Sequence, residues 1–259
     1  MTRPSLRFVY DEAGFKRNEV FAARLMKAAR KAGIAPELCV LPTRSPIPRL
    51  TPVDIAMIRS RVPELRSAAT GSAGLAVNNP KIALLGNDKL ALARFLSRHQ
   101  IPHPLTWMAS ALGPCREQLI QKPRFGHGGL GVGKVSNPRC GLDSFILQEP
   151  VLGADQDVRV YVVGDHPLAC VARSATSGFR SNLRFGATAR ATTLESEQKA
   201  LVIRLISLLG PGYYGIDLVG PPAKPMVMEI EDVVGARALY MLGIVDPAMA
   251  VASWMASLL

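Results

Sequence analysis

Apolar residues in the first third of the chain alternate between short runs and helical spacing. Three short runs bounded by turn residues predict strands: Leu6–Tyr10, Leu38–Leu41 and Val53–Ile58. Between the first two, the spacing from Lys16 to Ala32 predicts a helix whose apolar face includes Val20. A helix over 62–70 and a short strand over 76–78 follow. This β-α-β-β order predicts a small α/β lobe with a parallel sheet.

Beyond residue 86 the pattern favours more strands, with a few amphipathic helices between them. Helical spacing runs from Asn87 to about His99, and Asn87 or Asp88 suits the N-cap. Thr193 is the predicted cap of a helix over 195–209, and Asp246 with Pro247 opens a last helix. Short apolar runs predict strands at 119–122, 145–151, 157–163 and 168–173.

The clearest chemistry lies in the segment from Gly215 to Glu231, which reads as an antiparallel hairpin around a proline-rich turn. Side chains alternate along a strand, so Glu229 and Glu231 share a face, and a turn centred on 222–224 places Asp217 opposite Glu229. Three close carboxylates repel one another, and a divalent cation would relieve that repulsion. Oxygen ligands suit Mg²⁺ or Mn²⁺ better than zinc. The alternative is an exposed acidic sheet face without a ligand.

A glycine-rich loop follows the strand that ends at Lys122-Pro123. Five of the eight residues from Gly126 to Gly133 are glycine, so backbone amides there can approach an anion closely. The loop is neither a P-loop nor a dinucleotide fingerprint, because a strand rather than a long helix is predicted after it. A plain turn is the alternative interpretation.

Composition narrows the class of protein. The 259 residues are 48% hydrophobic and 20% charged, which is typical of globular chains. The net charge of +11 comes from basic residues spread along the chain, which favours a cleft for small polyanions over a nucleic-acid tail, although Arg-rich codon usage is an alternative. The four cysteines lack metal or redox spacing. Without a signal-peptide core or a spanning apolar stretch, we expect a soluble cytoplasmic protein.

Taken in order, the motifs resemble the ATP-grasp superfamily and, within it, the RimK-like glutamate ligases. The matching pieces cover the chain from about Asn78 to its end: Asn87-Asp88-Lys89, Lys122-Pro123 with the glycine loop, Gln148-Glu149-Pro150-Val151, Asp157-Val158-Arg159, Arg173, Phe179-Arg180-Ser181-Asn182 with Gly186, Gly215-Ile216-Asp217 and Glu229-Ile230-Glu231. The resemblance implies an α/β (α+β) ATP-grasp fold. Its expected parts are a pre-ATP-grasp lobe over 1–86 and an ATP-grasp domain over 87–259, with a lid at about 105–148 and an antiparallel C-terminal lobe at about 149–259.

The resemblance also implies cofactors and site residues. It implies ATP and two magnesium ions, with Mn²⁺ as an alternative metal. The implied ATP-binding residues are Lys89, Lys122, Gly126, Gly128, Gly129, Gly131, Gln148, Glu149, Pro150 and Asp157. The implied metal ligands are Asp217, Glu229 and Glu231. The implied catalytic residues are Arg173, Arg180 and Asn182.

The activity implied by the resemblance is an ATP-dependent carboxylate–amine ligase that works through an acyl phosphate. The substrates expected are small carboxylates and amines, with glutamate added to an anionic acceptor such as a methanopterin- or methanofuran-type coenzyme or a peptide. An ATP-grasp phosphotransferase and a non-catalytic nucleotide-binding module are the alternatives. Nucleic-acid binding would explain the charge but not the carboxylates, and no RNA-binding signature is present.

Two departures from the family pattern affect these expectations. The family's last metal ligand is usually Asn in a Glu-x-Asn pattern, whereas this chain has Glu231. The segments Thr106–Lys122 and Val132–Gln148 are short, which predicts a trimmed lid whose closure could involve a partner subunit in a homo-oligomer. Arg159 is interpreted either as an ion-pair partner of Asp157 or as a substrate contact.

Overall fold

The computed structural model describes residues 4–43, 46–111, 118–136, 143–151, 156–175 and 187–259. The predicted catalytic residues Arg180 and Asn182 lie outside these ranges. Within the described ranges the strands form two four-stranded sheets and one five-stranded sheet. No helix in these ranges combines the length and apolarity needed to cross a bilayer.

The N-terminal sheet is parallel, with the strand order β2-β1-β3-β4. Its strands are β1 (Ser5–Asp11), β2 (Ala35–Leu41), β3 (Val53–Ile58) and β4 (Ala73–Val77), connected by helices α1 (Glu12–Lys31) and α2 (Pro63–Gly71). The predicted parallel α/β lobe is confirmed. In α1, Phe21 and Leu25 are buried but Val20 is 70% exposed, so the apolar face is narrower than the sequence indicated.

Two short helices lead from this lobe to the central sheet. They are α3 (Pro80–Asn87), capped by Asn79, and α4 (Lys89–Arg98), capped by Asp88. The sequence predicted α4 but not α3. The central sheet has the order β5-β8-β6-β7, from β5 (Thr106–Met108), β6 (Gln118–Pro123), β7 (Gly133–Ser136) and β8 (Phe145–Gln148). The strand predicted after the glycine loop is confirmed as β7.

The C-terminal sheet is antiparallel, in the order β11-β10-β9-β12-β13. Its strands are β9 (Gln156–Gly164), β10 (His166–Ser174), β11 (Thr188–Thr192), β12 (Gly212–Val219) and β13 (Met226–Glu231). The helices here are α5 (Ser196–Leu209), α6 (Arg237–Leu242) and α7 (Pro247–Ala256). Every residue of β12 is buried, because packed elements cover both faces of this central strand.

Helix α5 begins two residues later than the predicted Thr193 cap implies. Its N-cap is Glu195, whose side chain accepts from the Gln198 backbone while Gln198 Oε1 accepts from the Glu195 amide at 3.1 Å. This reciprocal capping box satisfies two otherwise free amides, which explains why the glutamate replaces the threonine as the cap.

One apolar core is shared between the first and last parts of the chain. Leu6, Phe8 and Leu25 from the N-terminal lobe pack in the same cluster as Tyr213 and Val251. A second core joins α3, α4 and α5 to the opposite face of the C-terminal sheet. The C-terminal sheet is therefore sandwiched between the N-terminal lobe and a layer of helices.

Buried Asp232, one residue after β13, connects three separate segments. Its Oδ1 accepts from Asn78 Nδ2 at 2.9 Å, and its Oδ2 accepts from Asn87 Nδ2 at 3.0 Å and from Arg66 Nη1 at 2.9 Å. The backbone that follows the predicted metal-binding strand is thus held by groups from the N-terminal lobe and from α3.

Candidate functional site

The hairpin brings the three predicted metal ligands together. Asp217 on β12 pairs with Glu229 on β13, as the sequence predicted, and Gly215 pairs with Glu231. Each carboxylate offers an oxygen, and these oxygens all lie within 4.8 Å of one another. Asp217 is buried, and both glutamates are partly buried. A compact set of carboxylate oxygens fits a hard divalent cation such as Mg²⁺.

A β-bulge interrupts the hairpin next to these acids. The pairing moves from Asp217–Glu229 to Leu218–Val227, which leaves Met228 without an opposite residue on β12. The Met228 Sδ atom accepts from Lys122 Nζ at 3.2 Å. A bulge re-aims the local side chains, and here it brings the hairpin against the central sheet.

Two arginines on the same sheet hold Asp217. Arg159 donates to both Asp217 oxygens at 2.6 Å, and Arg173 donates to Oδ2 at 2.9 Å. Arg173 also donates to both Asp157 oxygens, at 2.6 and 2.7 Å. The Arg159–Asp157 ion pair, one of the two alternatives for Arg159, is therefore wrong, because the sheet register sets Arg173 opposite Asp157 and Arg159 opposite Asp217.

Burial acts to raise the pKa of Asp217, but the charges and hydrogen bonds of Arg159 and Arg173 outweigh it and lower this pKa to about 2. Glu231 has weaker support, since Arg159 Nη2 and Arg61 Nη2 each lie 3.4 Å from one of its oxygens. Burial, aided by the charges of Glu229 and Asp217 and opposed chiefly by Arg159, raises the pKa of Glu231. Asp217 is the firmly ionised member of the cluster, and a cation would favour ionisation of Glu231.

The two predicted phosphate-binding lysines lie near each other, and Lys122 lies beside the acids. Lys122 on β6 is only 8% exposed, and this burial lowers the pKa of its ammonium group. The negative charge of Glu229 opposes the shift, whereas the positive charge of Lys89 lowers the pKa further. Lys89 is the first residue of α4, and its Nζ donates to the Gly126 carbonyl. Lys122 thus interacts with the acidic cluster, Lys89 is bonded to the glycine loop, and the two ammonium groups lie close enough to affect each other.

The glycine loop joins β6 to β7 and contains the predicted residues Gly126, Gly128, Gly129 and Gly131. Gly131 has φ of +69°, and a Cβ there would lie 2.8 Å from Pro123 Cγ. Only glycine avoids both the conformational strain and this clash. The loop therefore folds back closely on the end of the strand that carries Lys122.

The predicted adenine-contact segment follows β8. Gln148 is buried and donates to Thr106 Oγ1 at 3.0 Å, the Glu149 amide donates to the Leu105 carbonyl at 3.0 Å, and Pro150 comes next. A crevice between this segment and the hairpin, lined by Lys89, Gln148 and Met228 among others, has a volume of about 10 Å³. That is space for one water molecule, so the crevice must widen before it can hold a nucleotide base.

Sequence reasoning missed several residues that contact the site. Arg61, which reaches Glu231, comes from the loop after β3 and lies 170 positions away. Arg124 donates to both Asp88 oxygens at 2.9 and 2.6 Å and so joins the α4 cap to the glycine loop. The two basic residues are ordinary in sequence, and only the fold reveals their partners.

Comparison with known proteins shows which family the chain resembles. A family model described as the RimK-like ATP-grasp domain matches residues 135–255. A probable alpha-L-glutamate ligase of Xanthomonas euvesicatoria pv. vesicatoria (strain 85-10) is 31% identical over 196 residues, covering 67% of this chain and 66% of the relative. The match thus spans just under two thirds of that curated relative's length.

Solved structures resemble the whole chain. The crystal structure of the D-cycloserine synthetase DcsG has a TM-score of 0.72 at 18% identity, covering 98% of this chain and 99% of that one. The ATP-grasp ligase PsnB complexed with minimal precursor, Mg and ADP has a TM-score of 0.66 at 17% identity, covering 99% and 98%. At this identity the likeness shows the fold, which is ATP-grasp.

Proposed function

We propose that this chain, which belongs to the RimK-like ATP-grasp family, is an ATP-dependent ligase that joins a carboxylate to an amine. The observation that carries the proposal is the cluster of Asp217, Glu229 and Glu231, whose oxygens lie within 4.8 Å of one another beside Lys122. Phosphoryl transfer depends mainly on neutralising charge along the triphosphate, and this cluster combines a cation site with a buried ammonium group.

ATP would supply the phosphoryl group, and two Mg²⁺ ions, or Mn²⁺, held by the acidic cluster would neutralise its charge. The chain's own residues then bind and orient. Lys89 and Lys122 are proposed to supply positive charge for the phosphates, together with the loop amides of Gly126, Gly128, Gly129 and Gly131. Gln148, Glu149 and Pro150 are proposed to contact the adenine, and Asp157 stays a proposed part of the nucleotide site.

In the proposed reaction an acceptor carboxylate oxygen attacks the γ-phosphorus of ATP, the bond from that phosphorus to the β–γ bridging oxygen breaks, and ADP leaves, which gives an acyl phosphate. The amine then attacks the carbonyl carbon, the C–O bond to phosphate breaks, and loss of a proton from the nitrogen leaves an amide and inorganic phosphate. Arg173 is already hydrogen-bonded to Asp157 and Asp217, so we propose that it also orients Asp217 within the cluster. Arg180 and Asn182 keep the roles that the resemblance implies, near the transferred phosphate.

We further propose L-glutamate as the amine and an anionic small molecule or peptide as the acceptor. The curated relative is named a probable alpha-L-glutamate ligase, and the net charge of +11 suits an anionic acceptor. A coenzyme of the methanopterin or methanofuran type is one such acceptor. DcsG and PsnB are named as a synthetase and a ligase, and they support ligase chemistry for the fold without bearing on the acceptor.

The test is ADP formation with ATP, Mg²⁺, L-glutamate and a panel of anionic acceptors, with mass spectrometry of the product. A mass increase of one glutamate residue together with ADP is the expected result. A phosphorylated product without an amide would indicate the phosphotransferase instead. Tight ATP binding without ADP formation for any acceptor would favour the non-catalytic module.

Glu231 provides the matched variants for this assay. Glu231→Ala should lower Mg²⁺-dependent turnover by roughly 100-fold or more because it removes a ligand oxygen beside the phosphates. Glu231→Asn restores the family's usual residue and should retain part of the activity. Full activity in Glu231→Ala, with the fold intact by circular dichroism, would remove Glu231 from the metal site.

A further inference from the structure

A cavity of about 400 Å³, lined by His127 of the glycine loop as well as by residues of the N-terminal lobe, lies next to the acidic cluster. Asp11 and Gly14 at the start of α1, Arg59 and Arg61 after β3, and Val233 after β13 contribute to its lining. It therefore lies beyond the carboxyl ends of β1 and β3, the edge at which open α/β sheets bind their ligands. Its size suits a small molecule.

The charges that face this cavity are mostly positive. Arg17, Arg59 and Arg61 line it, together with one acid, Asp11. The Asp11 carboxylate already accepts from the Gly14 amide at 2.6 Å and from Ser60 Oγ at 2.7 Å. Because this carboxylate already accepts two hydrogen bonds, the three guanidinium groups dominate the charge around the cavity. The cavity is therefore suited to bind an oxyanion.

Arg59 is the most informative residue in the cavity. It is 2% exposed, its Nη2 donates to the Val234 carbonyl at 2.8 Å, and its guanidinium carbon lies 5.4 Å from the ring centroids of both Phe21 and Tyr213. Among the described residues, its buried Nε and Nη1 atoms have no acceptor at hydrogen-bond geometry, although the Tyr10 hydroxyl lies close enough for Arg59 to act against the rise in the Tyr10 pKa that burial causes. A buried cation with unused donors is costly unless a ligand supplies the acceptors.

Arg61 connects this cavity to the acidic cluster. Its Nη2 lies 3.4 Å from Glu231 Oε2, whereas Lys122 interacts with Glu229. The cluster therefore has a nucleotide side, marked by Lys89 and Lys122, and an arginine side, marked by Arg61. A carboxylate that enters from the arginine side would reach the cluster opposite the lysines that are proposed to hold the phosphates.

We infer that the cavity binds the acceptor substrate through an oxyanion, a carboxylate or phosphate, with Arg59 as the buried anchor and Arg61 at the boundary with the cluster. Assigning this oxyanion to the acceptor rests on the proposed ligase function. The oxyanion site itself rests only on the cavity and its arginines. An experiment can therefore refute the assignment to the acceptor without refuting the oxyanion site, and the reverse.

The test is titration of the full chain with glutarate and, separately, with inorganic phosphate, by calorimetry and by thermal shift, with and without ATP and Mg²⁺. The variants are Arg59→Met, which keeps the length and apolar character of the side chain, and Arg61→Gln, whose position is partly exposed. The matched control is Arg94→Gln, an exposed position on α4 away from the cavity.

The expected result is that wild-type protein binds at least one of the two anions and that each cavity variant binds it about tenfold or more weakly, since a charge-assisted hydrogen bond is lost. Arg94→Gln should stay within about twofold of wild type. If Arg59→Met unfolds, Arg61→Gln alone decides the result. The glutarate and phosphate titrations distinguish a carboxylate site from a phosphate site.

No binding of either anion to wild-type protein, or equal binding by wild type and both cavity variants, would overturn the inference. An unchanged KM for the acceptor in both variants would separate the cavity from the acceptor while leaving the ligase function intact. Anion binding that depends on Arg59 and Arg61 in a chain that forms no ADP would support the site and overturn the ligase proposal.

Discussion

Arg59 and Arg159 are both buried arginines, yet their surroundings differ. Arg159 in the C-terminal sheet donates twice to Asp217 and lies near Glu231. Arg59 in the N-terminal lobe has one carbonyl and two aromatic rings as neighbours, and two of its nitrogens lack an acceptor in the described part of the chain. The first cation is compensated within the protein and fixes a carboxylate, whereas the second has donors left for a ligand.

The largest effect should come from Arg159→Met. This change leaves Asp217 buried and deprived of its bidentate partner, and breaking such a pair typically costs about 3–5 kcal/mol in the free energy of unfolding. Urea denaturation monitored by circular dichroism measures the loss. The control is Arg190→Met on the exposed face of β11, which should change stability by no more than about 0.5 kcal/mol.

The double variant Arg159→Met/Asp217→Leu sharpens this test. It removes the buried carboxylate that the single change leaves with Arg173 as its remaining arginine partner, so part of the lost stability should return. A cost below about 1 kcal/mol for Arg159→Met alone would contradict the view that this arginine is structural.

Lys122→Met should separate binding from stability. Nucleotide affinity should fall by about 1.5–3 kcal/mol, because a charge-assisted contact with phosphate is lost. The nucleotide-free protein should become more stable, since a buried ammonium beside a thioether is replaced by an apolar chain of similar length. Calorimetry with ATP and urea denaturation without it measure the two effects, and unchanged ATP affinity would exclude Lys122 from the site.

The same variant gives a pH test. Burial lowers the pKa of Lys122 in the folded state below its ordinary value of 10.5, so the unfolded chain binds more protons in the interval between them. Stability of the wild type should therefore rise with pH through that interval, relative to Lys122→Met. If the free energies of unfolding of wild type and Lys122→Met changed in parallel with pH up to 10.5, folding would not lower the pKa of Lys122, and the prediction would be wrong.

The smallest effect should come from Arg59→Met in the ligand-free protein. The change loses one hydrogen bond to Val234 and the contacts with Phe21 and Tyr213, but it also removes two unpaired buried donors. These terms oppose each other, so the free energy of unfolding should change by about 1 kcal/mol or less. If Arg59→Met lowered the free energy of unfolding as much as Arg159→Met does, Arg59 would be a structural residue, and the difference proposed between the two arginines would be wrong.

The acidic cluster could be predicted from the sequence because it depends on local geometry. Strand alternation places Glu229 and Glu231 on one face, and a short hairpin turn sets Asp217 opposite Glu229. The arginine partners depend on the register between β9, β10 and β12, which the alternation does not specify, so the sequence left two alternatives for Arg159, and the ion pair with Asp157 was wrong. Arg61 reaches Glu231 across 170 positions, and no local pattern carries that information.

The fold, like the site, has features that the sequence pattern predicted and features that it did not. The parallel N-terminal sheet followed from the order of its strands and helices, and the family motifs implied the antiparallel C-terminal sheet. Helix α3 was missed because its eight residues present little periodicity before the stronger signal of α4. The sequence pattern was compatible with either Thr193 or Glu195 as the N-cap of α5. Glu195 is the cap because it forms reciprocal hydrogen bonds with Gln198.

Asp232 has a consequence for how the molecule unfolds. Its carboxylate joins Arg66 and Asn78 of the N-terminal lobe to Asn87 and to the strand that ends in Glu231. The boundary predicted between residues 86 and 87 would separate these donors, and melting of either side would leave a buried carboxylate without partners. Together with the shared apolar core, this makes independent melting of the two lobes costly. We therefore expect heat or denaturant to unfold the chain in a single cooperative transition, despite its length.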